Sequence, residues 1–170
     1  MIRKLTKEDI PEYQHLITTV WNETYPGIIN DKFLKSLYQG EQVRIELDLY
    51  MFNEQTNKIL VIEENNKLVG FTRYGKSSDK LYPNTGEIFS LYVLKEYHHK
   101  GYGKQLVQEA VKELIKLNYS SMVIGCISLN PSNEFYKHIG GIHKSTRVLT
   151  QTGDTLTENI YYYEDIKKLI

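Results

Sequence analysis

At 170 residues, 41% of them hydrophobic and 25% charged, the chain has the size and composition of one globular domain with a real core. Its 21 basic and 21 acidic residues cancel to a formal net charge of zero, so no global field draws it to nucleic acid or to a membrane. A single cysteine, Cys126, excludes an internal disulfide and suits a reducing compartment. Met1-Ile2-Arg3-Lys4 leads into a strand pattern rather than an apolar signal core, and no window has the length of a membrane-spanning helix. A cytoplasmic protein is expected. The 14 tyrosines are read mostly as half-buried packing, with a few lining a pocket.

Ile2–Leu5 reads as the first strand. Thr6 is placed as the N-cap of a helix, with Asp9 in a capping-box position and Ile10, Tyr13, Leu16, Ile17, Val20 and Trp21 in helical period. Pro26-Gly27 breaks the chain, Asp31 looks like the next N-cap, and Glu41–Gln55 reads as another helix after Gly40. Ile59–Glu63 and Leu68–Tyr74 are strands about a tight turn at Glu64-Asn65-Asn66-Lys67. Glu87–Val93 is a strand, Gly103–Leu117 a helix and Met122–Leu129 a buried strand. Asn130 and Pro131 look like the N-cap and first residue of a short helix ending near His138. Ile142–Thr150 and Leu156–Tyr163 follow as strands, then a terminal helical turn at Asp165–Ile170. The central β-α-β unit must cross over right-handedly, so 87–93 and 122–129 are expected to be parallel neighbours. The fold class is α/β: a mixed, twisted sheet of about seven strands with helices on both faces.

Between the strand at 87–93 and its helix lies His98-His99-Lys100-Gly101-Tyr102-Gly103-Lys104. A strand, a glycine turn and a helix build a phosphate cradle, because the first helical N–H groups are free and the helix dipole favours an anion there. Gly101 and Gly103 admit close approach, and Lys100 and Lys104 add positive charge. The turn is not a dinucleotide fingerprint, since the third glycine is missing and no acidic residue ends a following strand about twenty residues on.

This order of elements resembles the GNAT superfamily of acetyl-CoA-dependent N-acetyltransferases over nearly the whole chain. The family's pyrophosphate signature, Gln/Arg-x-x-Gly-x-Gly/Ala, is met by His98–Gly103, with His at the first position. A second family motif, Asn-x-x-Ala-x-x-Phe-Tyr-x-x-x-Gly-Phe, is met by Asn130–Gly141, shifted by one residue before Phe135-Tyr136 and with Gly141 in place of the final Phe. The resemblance implies one N-acetyltransferase domain over 1–170 with acetyl-CoA as cosubstrate.

It also implies the site. Tyr136 aligns with the tyrosine that serves as general acid near the thioester sulfur, and Glu87, fourteen positions before Gly101, with a glutamate that takes the amine proton. The strand before the cradle is expected to splay from its neighbour and bind the pantetheine arm by main chain, through Leu91, Tyr92 and Val93. His98 to Lys104 would hold the pyrophosphate, and Asn130 and Asn133 are both candidates for a side-chain contact to the cofactor, although Asn130 also has a capping role. The acceptor pocket falls to Trp21–Asn30 and roughly Ser145–Glu158, where Trp21, Tyr25 and Tyr50 could form an aromatic wall for a cationic amine and Glu23, Glu41, Glu46 and Asp48 could counter its charge, although a hydrophobic staple and solvated helix faces account for most of these residues. The Trp-Asn-Glu-Thr-Tyr-Pro-Gly stretch loosely resembles bacterial polyamine acetyltransferases, and polyamine, aminoglycoside-like amine, amino-acid derivative and protein N-terminus all stay open. By analogy with the family, Tyr161-Tyr162-Tyr163 is the strand through which a homodimer would form.

Two other features are read as structural. The adjacent His98 and His99 have no carboxylate or cysteine at ligand spacing, so no metal is expected. Cys126 sits mid-strand without a base and is read as packing rather than as an acyl acceptor. The rival from another class is a non-catalytic acyl-CoA-binding module, which would need neither Tyr136 nor Glu87.

Overall fold

A computed structural model describes residues 1–150 and 152–170. Seven strands form one sheet: β1 (Ile2–Lys4), β2 (Ile59–Glu64), β3 (Lys67–Lys76), β4 (Gly86–Val93), β5 (Met122–Ile127), β6 (Ile142–Leu149) and β7 (Leu156–Tyr163), in the spatial order β1-β2-β3-β4-β5-β7-β6. Neighbours are antiparallel except β4 and β5, which are parallel as the crossover requires. Asn65 and Asn66 turn the β2–β3 hairpin with φ of 52° and 60°, the left-handed pair that a tight hairpin needs.

Five helices accompany the sheet: α1 (Ile10–Thr24), α2 (Asp31–Gln39), α3 (Glu41–Met51), α4 (Tyr102–Lys116) and α5 (Asn133–His138). Leu106, Val107, Ala110, Val111 and Leu114 bury one face of α4, while Tyr13 of α1 meets Phe71 of β3 edge-on at 5.0 Å. The two helices seal a core of aliphatic strand residues, among them Val61, Val69, Ile88 and Ile124.

Five local expectations shift. α1 begins at Ile10, not after Thr6, because Pro11 fills the first turn, while the Asp9 carboxylate accepts from both the Thr6 N–H and its hydroxyl. Asn30 rather than Asp31 caps α2, its Oδ1 accepting from Phe33 N–H at 2.8 Å. The helix after β5 opens at Asn133, and Asn130 instead caps the preceding turn by accepting from Ser132 N–H. α3 stops at Met51 and β5 at Ile127, each short of the expected end.

Two irregularities position the site. The β4–β5 ladder holds for only three residue pairs, Gly86 to Ile88 against Met122 to Ile124, and then the strands part. On the other edge of β4 the register slips, with Arg73 opposite Ser90 but Tyr74 opposite Ile88, so Phe89 is an extra residue. Glu87 faces Gly75 and Tyr92 faces Phe71, partners four apart on β3. The bulge therefore sets Glu87 and Tyr92 on one face, where strict alternation would put them on opposite faces.

Candidate active site

The cradle begins where β4 ends. Gly101 sits at φ +79° as the residue before α4, a left-handed conformation that a side chain would strain. The first bond of the helix runs from Gln105 N–H to the Gly101 carbonyl, so the N–H groups of Tyr102, Gly103 and Lys104 have no partner within it. At Gly103 a Cβ would meet only the Phe135 ring at 3.6 Å, an ordinary contact. Nothing in the protein requires glycine there, which fits a position kept bare for a bound phosphate. The coenzyme A pyrophosphate thus suits the residues present.

The side chains of the turn divide. The His98 ring donates to the Val93 carbonyl at 2.9 Å and pins the end of β4. His99 takes the turn at φ 62°. Tyr102 stacks on Tyr97 and donates to Glu64 at 2.9 Å, and the Lys100 ammonium lies 3.6 Å from Glu64 and 4.5 Å over the Tyr97 ring. The charge of Lys100 is therefore shared with Glu64, while Lys104 has no carboxylate partner among the described residues. No group of metal-ligating side chains exists among the described residues.

Where β4 and β5 part, one row of residues on β4 (Leu91, Tyr92 and Val93) has β3 on one side only. Aromatic rings gather beside it. Trp21 lies 5.1 Å from Tyr25 and 6.3 Å from Tyr92, and the Tyr25 and Tyr92 hydroxyls share a hydrogen bond of 2.7 Å. Burial pushes the Tyr25 phenol up to about 12 and Tyr92 well above its ordinary value, so both stay neutral and can pass on a hydrogen bond. Tyr50 does not join this wall: it is 89% exposed on α3. Of the carboxylates expected to counter a cation, Glu23 accepts from Lys95 N–H, Glu41 meets His15, Glu46 accepts from Gln42 and Asp48 accepts from Gln14, so they are dispersed among structural partners.

A different acidic group stands on the site's face. Glu87 is 3% exposed at the last pairs of the β4–β5 ladder. Ser77 donates to its Oε2 at 2.8 Å, and Arg147 Nη2 to its Oε1 at 3.3 Å. The same guanidinium donates through Nε to Glu158 and through Nη1 to Asp79. Arg147 and Glu158 are cross-strand partners on β6 and β7, and Ser77 and Asp79 come from the loop before β4. Sequence reading missed this cluster because only the hairpin register and the folded-back loop bring its members together.

Tyr136 of α5 is buried against Phe135 and Tyr161. Its hydroxyl has no hydrogen-bond partner among the described residues, and burial lifts its pKa well above the ordinary phenol value. Asn133 is fully engaged: its amide donates to the carbonyls of Ile127, Ser128 and Asn130, and its Oδ1 accepts from Asn159 and the Tyr161 hydroxyl. Its role is to tie α5 to β5 and β7, which leaves Asn130 as the asparagine with donor capacity to spare. Cys126 is buried, and burial pushes its thiol up to about 12, as befits packing.

A parallel pair that splays beside a free helix N-terminus offers an extended gap with an anion-binding end. The sequence profile described as the acetyltransferase (GNAT) family matches residues 16–141. The chain is 26% identical to an uncharacterized N-acetyltransferase, YuaI, of Bacillus subtilis over 80% of this chain and 76% of that one. It is 30% identical to a spermidine N(1)-acetyltransferase of Thermoplasma acidophilum over 68% of this chain and 70% of that one. A PaiA N-acetyltransferase from Thermoplasma acidophilum, solved in complex with coenzyme A, superposes with a TM-score of 0.73 at 23% identity, covering 95% of this chain and 96% of that one. The chain belongs to the GNAT family of acetyltransferases, enzymes whose cosubstrate is acetyl-CoA. No described helix is long and apolar enough to cross a membrane.

Proposed function

We propose that the chain transfers the acetyl group of acetyl-CoA to a primary amine of a small molecule or peptide, by direct attack in a ternary complex. The observation that carries this reading is the parting of β4 and β5 one residue after a buried carboxylate, Glu87, beside the free N–H groups of α4. Acetyl-CoA supplies an activated acyl carbonyl on a thiolate leaving group.

The chain's own residues supply the rest. An alkyl ammonium, with a pKa of roughly 10, must lose a proton before it can attack, and the Glu87 carboxylate takes it. Main-chain N–H groups of Leu91 to Val93 orient the thioester arm and offer a donor to the oxygen that gains charge. The Tyr136 hydroxyl gives its proton to the departing sulfur while the attacking nitrogen sheds its second proton; of the two protons lost by the ammonium one restores the tyrosine and the other leaves to solvent, so the products are the N-acetyl amine, the free thiol and one proton. Trp21, Tyr25 and Tyr92 suit a cationic amine, which stacks favourably on aromatic faces. The relative named for spermidine puts that polyamine first among amines to try.

Thermal unfolding with acetyl-CoA, with NAD and without ligand tests the first half. Acetyl-CoA alone should stabilise, by about 2.7 kcal/mol at a hundredfold excess over its dissociation constant. Acetyl transfer to spermidine, an aminoglycoside, an amino-acid amide and an N-terminal peptide tests the second half, with Glu87→Gln as the control. A stabilised protein that acetylates none of the four would leave an acyl-CoA-binding module and sink the proposal.

A further inference from the structure

The Glu87 cluster contains a residue with no place in the reaction as described so far. Arg147 addresses three carboxylates from three segments, each with a different nitrogen: Glu158 by Nε, Asp79 by Nη1 and Glu87 by Nη2. Only a planar guanidinium presents donors in that spread; an ammonium cannot reach three partners so arranged. The neighbourhood is shaped to keep it there. A Cβ on Gly125 would fall 2.0 Å from Glu158 Oε1, so the bare glycine on β5 is what lets Glu158 lie across the sheet towards Arg147. Ser77, which holds the other oxygen of Glu87, also accepts at its Oγ from Asp79 N–H at 3.2 Å and so braces the loop that carries Asp79.

The effect on Glu87 is specific. Each of its oxygens receives one donor, Arg147 at Oε1 and Ser77 at Oε2. A carboxylate offers about four lone-pair directions, so two contacts stop its rotation and still leave room to accept a proton. A salt bridge meant only for stability has no need of a partner at the end of the parting ladder. We propose that Arg147 is the positioning residue for the base: held by Glu158 and Asp79, it fixes the Glu87 carboxylate where the amine proton is taken, and it makes that position depend on the seating of the β6–β7 hairpin. This rests on the reading of Glu87 as base.

The test is steady-state kinetics of Arg147→Ala and Arg147→Lys, using the amine of the panel above that is acetylated fastest. The alanine variant should lose about 10²-fold in kcat, the cost of a misplaced catalytic group, with the KM for acetyl-CoA unchanged. Guanidinium chloride at about 50 mM, far below denaturing concentrations, should restore at least tenfold of the loss by refilling the vacated place. The lysine variant should fall between the two. A kcat within twofold of the parent in Arg147→Ala overturns the inference, and so does a loss that neither guanidinium nor lysine repairs while the melting temperature falls, since that is a structural role alone. Glu87→Gln separates the two readings. Inactive Glu87→Gln beside active Arg147→Ala removes only the positioning role, whereas active Glu87→Gln removes the base itself and this inference with it.

Discussion

Tyr136 shows how one side chain can be tested without disturbing the rest. Its ring is packed between Phe135 and Tyr161, so a phenylalanine keeps the contacts, and its hydroxyl has no partner among the described residues to lose. Tyr136→Phe should therefore melt at the parent's temperature and bind acetyl-CoA normally, yet lose about 10²-fold in kcat, the low end of what a general acid contributes. Burial raises the phenol's pKa, so the acid form is full at neutral pH and its removal should take no limb out of the pH–rate profile between pH 6 and 9. Full activity in the variant would move the proton-donor role elsewhere. The motif itself was legible in the sequence, but the status of its asparagines was not. Asn130 and Asn133 look alike on paper, and only the five hydrogen bonds of Asn133 separate the structural one from the one with capacity to spare.

Within single elements, the glycine turn and the entry to α1 make contrasting predictions. Gly101 is constrained by its backbone and Gly103 is not. Gly101→Ala should cost about 1–2 kcal/mol of stability from the left-handed conformation, whether or not ligand is present. Gly103→Val should leave the unliganded protein near its parent stability and abolish most of the stabilisation by acetyl-CoA, because its Cβ makes only an ordinary contact with Phe135 and its methyls crowd the free N–H groups proposed for the pyrophosphate. Paired thermal melts distinguish the two, and a Gly103→Val protein still stabilised by acetyl-CoA would place the pyrophosphate elsewhere. At α1, Arg3 donates to Asp9 at 2.5 and 2.9 Å, and that bond, with the Thr6 donors, holds the Asp9 carboxyl down at about 2. A carboxyl depressed in the folded state stabilises above its unfolded pKa and loses that stability as pH falls from about 4 to about 2. The pair is partly exposed, so about 1 kcal/mol is expected after screening. Urea unfolding at pH 6 and pH 2.5 should show a smaller acid loss in Asp9→Asn than in the parent. Apolar period, paired asparagines and a glycine turn are local signals, which is why the strands, the hairpin and the β-α-β unit could be read directly. Thr6 misled because Asp9 bonds back to it just as a capping box does, while the helix starts only at Ile10, with Pro11 in its first turn.

The molecule as a whole is two half-sheets joined by a short seam. β1 to β4 form one half and β5, β7 and β6 the other, and only Gly86–Ile88 against Met122–Ile124 connects their ladders. So short a ladder leaves the gap open below it, and other contacts must hold the halves in register. Sequence patterns cannot show these, since they pair residues from opposite ends of the chain. One is the Arg147 cluster, two residue pairs from the turn end of the β6–β7 hairpin. Another is an apolar cluster in which Tyr25, Ile29 and Leu34 meet Ile127 and Leu156. The third is a clasp at that turn: Asn30 donates to Asp154 Oδ2 from its backbone at 3.0 Å and its amide at 2.7 Å, and the amide also reaches the Thr152 carbonyl at 2.9 Å. The clasp joins the hairpin to the loop that carries Tyr25 and Pro26, so it borders the side proposed for the amine and is made by residues other than those of the cradle on α4. Asp154→Ala removes two of its three bonds, keeping the amide contact to the Thr152 carbonyl, and leaves the Asn30 cap on α2 intact, because that cap uses Asn30 Oδ1. The variant should raise the KM for the amine severalfold and leave acetyl-CoA binding unchanged. Equal rises in both constants would mean that the hairpin seats the cofactor as well. No change in either would mean that the apolar cluster and Arg147 hold the two halves together without it.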